Sequence, residues 1–376
     1  MTAYSPSTHP SRRAQKLLHR FARHPSVGDD AAATLEQVLS ASPLLTSQLN
    51  QAVRHGDLRA FDLLEPGSHA GGVFDGDTGV ISIPLGLLTR QGEPEIAFIL
   101  GHELQHAVGS AEAQRRVARF FESAEWAAAH DFDYTPAIRD HLDWHRQDEA
   151  AAHLAGWNGL VDWIGHYLPD PTLEDVVLAT RFRAGDFVEP GDGSFVIKPL
   201  LSVRPDLRFD LTDSNIAAMS TYYFDRSPSE MQLGALGTSD YRNEYGCWAV
   251  MQAAACHRHF TRVHRPQPTM IINTTELGLT RRIMEENGID LGGLPTQPYL
   301  DQSADPPRLE LLHHTVGTHQ FVPDDHLERV GILRSDRPVT GVIRSSSVRT
   351  PGAPRRADRP TASRPATPRR SQGRSR

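Results

Sequence analysis

The chain has 376 residues, a formal net charge of −7, 39% hydrophobic residues and two cysteines. That apolar content supports a buried core and excludes wholesale disorder, while two cysteines exclude a disulfide scaffold. The apolar runs fall short of the roughly 20 residues that a membrane span needs, and the polar opening lacks the apolar stretch of a secretory signal.

In chain order, residues 1–30 are polar and expected to be flexible, apart from a short helix around Arg13–Phe21. Asp29 and Asp30 open a helical pattern through Leu35, Val38 and Leu39, and a second runs through Leu44, Leu45, Leu49 and Val53. Asp57 to Leu64 is ambiguous. In residues 71–84 the glycines and aspartates between Val73-Phe74 and Val80-Ile81-Ser82-Ile83 mark a turn between two short strands. A helix then starts near Pro94, with Glu93 and Glu95 complementing its dipole, and Gly109 reads as its C-terminal stop. Ile96, Phe98, Ile99, Leu100, Leu104 and Val108 cover nearly every side of it, so it is buried and its polar residues need partners. An Ala-rich helical stretch (111–129) and a loop follow, then a long helix from Thr135-Pro136 to about Tyr167. Phe187 to Leu211 reads as short strands with turns, and Tyr245 to Val263 and Leu277 to Asn287 as helices.

The polar residues of the buried helix are His102-Glu103-Leu104-Gln105-His106, an H-E-x-x-H pattern. At about 100° per residue the two imidazoles lie about 40° apart on one face, one turn from each other, and can bind one ion. Glu103, about 100° round from His102, can reach a water on that ion without coordinating it. Zinc lowers the pKa of such a water, and the glutamate takes its proton. On these residues the chain resembles the zincin metallopeptidases. The resemblance implies an α+β fold, mainly helical, with a small sheet next to the active-site helix and an edge strand that holds an extended substrate. The Val80–Ile83 strand stands where that edge strand is expected.

A hydrolytic zinc site needs a third protein ligand. On the long helix Glu149 centres the inward stripe, with Leu142, Gly156 and Leu160 about 20° away, and an acid there needs a cation or metal as partner. Asp148, about 100° off, lies outside that stripe. The arrangement resembles the gluzincins, in which a glutamate from a second helix completes the site and an acid four residues later orients a ligating histidine; His153 holds that later position here. Two alternatives stand beside Glu149. Glu112 completes H-E-x-x-H-x-x-G-x-x-E, close to the metzincin signature, with Gly109 at its turn; His145 shares the stripe of Glu149. Tyr241, Arg242 and Tyr245 are candidates to line the cleft, with ordinary capping and core packing as the rival reading.

From about Arg334 the chain turns to Arg, Ser, Pro, Thr and Gly, a composition expected to be disordered. Residues 344–376 carry ten arginines and one acid, so the remainder carries −16. That acidic body argues against nucleic acid as a partner. The tail, with residues 285–293 and 298–301, resembles type IV secretion effectors of Xanthomonas-like bacteria. This implies a protein that is cytoplasmic in the producing cell and exported without a signal peptide, by machinery that reads its C-terminus.

The sequence therefore predicts a flexible segment 1–30, a zincin-like catalytic domain 31–180, a subdomain 181–333 that completes the cleft, and a disordered tail 334–376. The expected activity is zinc-dependent hydrolysis of a peptide or protein, with Zn2+ on His102, His106 and Glu149 and Glu103 as general base. The alternatives are a zinc amidase acting on cell-wall peptides, and a binding or delivery protein with a structural zinc site.

Overall fold

The computed structural model describes residues 9–315 apart from Pro66, Gly67, His69, Arg181, Phe182, Ala235 and Arg265; the tail expected from 334 onward lies outside the described residues. Three helices open it: α1 (Arg12–Ala22), α2 (Asp29–Ala41) and α3 (Pro43–His55). Ser11 caps α1, and the apolar spacing Ala14, Leu17, Leu18, Phe21 buries one face, with Phe21 edge-on to Phe61. The short helix expected around Arg13–Phe21 is thus present, and it ties this part of the polar 1–30 segment into the core. Its apolar stripe is only one residue in three or four, and a polar average conceals it.

β1 (Ala60–Leu63), β2 (Val73–Asp75) and β3 (Val80–Ile83) form a sheet of order β1-β3-β2. The β2–β3 hairpin is where the turn residues put it, and Gly79 takes the positive φ (69°) that the turn requires. The ambiguous stretch supplies β1, parallel to β3. β3 is therefore central, and the edge strand that reaches the next helix is β2 rather than Val80–Ile83.

That helix, α4, runs unbroken over Glu93–His130, so Gly109 does not end it. A glycine inside a helix costs about 1 kcal/mol, too little to stop one that continues into Ala-rich sequence and packs on both sides. α5 (Thr135–Tyr167) has the bounds its pattern predicted. The two helices pack most extensively of all elements, and glycines set how closely they approach. A Cβ on Gly101 would stand 2.5 Å from the Ala155 carbonyl oxygen, and one on Gly156 2.9 Å from the Phe98 carbonyl oxygen. Gly101→Val should therefore force α4 from α5, lowering stability by about 1–3 kcal/mol in urea unfolding. Gly165→Ala on the same helix α5, where a Cβ meets nothing within 4 Å, should be neutral or stabilising. Equal effects of the two would deny that this crossing is close-packed.

The remaining elements are α6 (Leu173–Thr180), the hairpin β4 (Val188–Pro190) and β5 (Phe195–Ile197), α7 (Asp213–Met219) running into a π-helical turn Ser220–Phe224, and α8 (Pro228–Met231). α9 (Tyr241–Thr261) packs against both α4 and α5. β6 (Met270–Ile272), α10 (Thr274–Leu277), α11 (Arg281–Asn287), β7 (Thr296–Asp301) and β8 (Arg308–His313) follow, with the strands in the order β6-β7-β8. Gly278, at φ 66°, caps α10, so the helix expected over 277–287 starts only at Arg281, as α11. The fold is α+β: helices dominate, and the sheets are small and set apart from one another. One hydrophobic cluster runs from Ala14 to Leu312, so residues on both sides of position 181 share a core. Among the described residues, no helix is long and apolar enough to cross a membrane.

Candidate metal centre

α4 carries His102, Glu103 and His106 into the core, and α5 brings Glu149 to them from the opposite side. His102, Glu103 and Glu149 are 0% exposed and His106 5%. One ligand atom from each of His102, His106 and Glu149 lies within 4.8 Å of the others, the only such group of three or more His, Cys, Asp or Glu among the described residues. The two Nε2 atoms are 3.0 Å apart, His102 Nε2 is 3.5 Å from Glu149 Oε2, and His106 Nε2 is 3.8 Å from Glu149 Oε1. A tetrahedral site with arms of about 2.0–2.1 Å has edges of about 3.3 Å, so these donors are spaced to share one metal ion.

Other side chains hold the donors in place. Asp148 Oδ2 accepts from His106 Nδ1 at 2.9 Å, which turns His106 Nε2 toward the cluster. Tyr245, from α9, donates its hydroxyl to Glu149 Oε1 at 2.6 Å and stacks on His145 at 3.7 Å between ring centroids. The Phe74 amide of β2 donates to Glu103 Oε2 at 2.7 Å, whereas Glu103 Oε1 and His102 Nδ1 are buried with no hydrogen-bond partner among the described residues.

The electrostatics describe a cluster that wants a cation. Burial pushes the Glu103 carboxyl up to about 8, with the Glu149 carboxylate adding to the rise. Burial also drives His102 well below the usual imidazole range, and His106 beside it works the same way. Burial opposes charge on His106 too, but the hydrogen-bonded Asp148 carboxylate, with Glu149 and Glu103, outweighs it and lifts His106 to about 10. Without metal, these carboxylates favour a proton on the His106 ring, whose nitrogens meet Asp148 and His102. A metal ion bound by both Nε2 atoms must displace that proton, so affinity falls as the pH falls.

Of the candidates weighed from sequence, Glu149 is brought to the histidines and the other two are not. Glu112 lies on the exposed side of α4 and bonds Arg115 and Arg116 at 2.8 and 2.7 Å. The turn at Gly109 that the metzincin pattern required is absent, because α4 continues through it. His145 lies beside the centre but outside the group of three; its two ring nitrogens and those of His141 are buried without hydrogen-bond partners among the described residues, and burial keeps both rings neutral. His153 bonds Asp186 at 2.9 Å, not a ligand; Asp186 also takes Arg226. Tyr241 pairs its hydroxyl with that of Tyr223, and Arg242 bonds Asp225.

Sequence reasoning missed three groups. Asp148 was set aside because it lies off the stripe centred on Glu149. Tyr223, from the π-helical turn, is buried near Glu149 and Glu103, whose charges act on it. The Phe74 amide carries no sequence signal at all. Asp148→Asn should weaken metal binding about 10–100-fold, measured by competition with a chromophoric chelator. Unchanged affinity would show that the Asp148–His106 bond does not orient the ligand.

Neither family models, nor curated proteins, nor solved structures give a match to this chain.

Proposed function

We propose that the chain is a zinc-dependent hydrolase with a gluzincin-like site, acting on a peptide or protein. The observation that carries the reading is the convergence, from two helices, of two histidines and a glutamate on one point in the core, with a second glutamate next to the first histidine. Two imidazoles and one carboxylate are the donor set of hydrolytic zinc.

Bound zinc supplies a Lewis acid that polarises a water and a carbonyl group. The chain supplies the rest. His102 and His106 would hold the ion through Nε2, and Glu149 through its carboxylate. Asp148 and Tyr245 orient two of these ligands. Glu103 lies outside the group of three, and its unpartnered Oε1 is the atom that would take and return a proton. Burial raises its pKa, the direction a proton shuttle near neutral pH needs, while a dication beside it pulls the other way.

A structural zinc site closes its coordination with four protein ligands. Among the described residues no fourth His, Cys, Asp or Glu joins the group, which favours catalysis. The zincin architecture is consistent with the sheet whose edge strand β2 contacts α4. The Arg-rich end of the sequence would serve as an address for an export machine.

Digestion assays should separate the substrate classes. Zinc-loaded protein should cleave denatured casein, and a chelator should abolish this. Cleavage of purified peptidoglycan with casein left intact would establish the amidase instead. Cleavage of neither by a zinc-loaded chain would favour the structural site.

A further inference from the structure

The site is closed. A hydrolase must admit a polymer to Glu103 and the ligand atoms, yet no solvent reaches Glu103. What covers it is the chain's own segment 70–75. Its Phe74 amide occupies one oxygen of the general base. Two residues earlier the backbone passes so near that a Cβ on Gly72 would lie 3.2 Å from both Cγ and Oε1 of Glu103, and 2.5 Å from Ile99 Cγ2. Only glycine fits there, and Ala70, Gly71, Gly72 and Phe74 are all buried.

The segment is anchored by the buried Phe74 ring, but its backbone is lightly paired. β2 is three residues long, lies at the edge of its sheet and, among the described residues, has β3 as its one neighbouring strand. Short edge strands with one neighbour open at far lower free energy than a core helix such as α4. Gly71-Gly72 gives the backbone freedom to swing at the point of closest approach.

We propose that residues 70–75 form a strap, closed over Glu103 in this structure, that must lift from α4 before substrate can enter. Closed, it satisfies the base with an amide and excludes water. Lifted, it frees both carboxylate oxygens and opens the face of the metal centre. The regulatory meaning of this strap rests on the hydrolase reading; its opening does not.

Amide hydrogen exchange, read by NMR on the metal-free chain, tests it. The Phe74 amide should exchange at least about 100-fold slower than a free peptide, yet about 100-fold or more faster than the Ile99 and Leu100 amides of α4. Exchange together with those core amides would show a fixed element and overturn the strap, as would exchange at the free-peptide rate. Glu103→Ala should speed Phe74 exchange about tenfold by removing its acceptor. Gly72→Val, which cannot close against Ile99, should speed release of loaded zinc to a chelator by at least about tenfold. Unchanged rates in these variants contradict the proposal. A chain that binds no zinc but shows the intermediate Phe74 exchange would sink the hydrolase reading and leave the strap.

Discussion

Glu149→Ala is expected to abolish tight zinc binding. The carboxylate is the only donor from α5 in the group of three, and its removal leaves two imidazoles on one helix. The loss should go well beyond the roughly 10–100-fold that follows when a supporting hydrogen bond is removed from a ligand. Stability should fall as well, because Tyr245 loses an acceptor of its buried hydroxyl and His106 loses a carboxylate that favours its protonated form. Glu112→Ala is the matched control. Its carboxylate is exposed and, among the described residues, bonded to two arginines on its own helix, so zinc affinity and melting temperature should stay near wild type. Titration of both variants with zinc under chelator competition reads the difference. The reverse pattern would move the third ligand to Glu112 and invalidate the role given to α5.

Glu103→Gln is expected to keep the metal and lose the activity. Glutamine has nearly the shape of glutamate, and its carbonyl oxygen can still accept from the Phe74 amide. It cannot take a proton at the position of Oε1. General-base catalysis contributes about 10²–10⁴-fold, so hydrolysis should fall by that order while zinc stoichiometry holds. The comparison needs zinc content and hydrolysis measured on the same preparation. Stoichiometric loss of zinc would make Glu103 a ligand. Full activity would place the base elsewhere.

The parts of the site legible in the sequence are those that depend on one helix at a time. The pairing of His102 with His106 follows from 3.6 residues per turn, and the apolar surround of α4 marks them as buried. Glu149 could be found because it centres an apolar stripe on a helix whose ends the sequence also marks. The supporting groups depend on how helices cross, which no single-helix pattern records. Asp148 lies about 100° from Glu149, yet that flank faces α4 and brings its carboxylate to His106. Tyr245 lies 96 residues beyond Glu149, and Tyr223 likewise reaches His102 from a distant segment, joined to it only by packing. In the fold, the β2–β3 hairpin was visible through its turn residues. β6, with three residues, has too little period-two pattern to register, and β1, with four, is hardly longer. Gly109 was misread as a stop because its local cost is real, while the packing that offsets it is tertiary.

The most direct measurement of the central claim is a crystal structure of the zinc-loaded chain with anomalous density recorded at the zinc edge. One peak should lie about 2.0–2.2 Å from His102 Nε2, His106 Nε2 and a Glu149 oxygen, with Glu103 outside bonding distance. A zinc-loaded crystal with no peak at these three residues, or with its peak at His141 and His145, would contradict it.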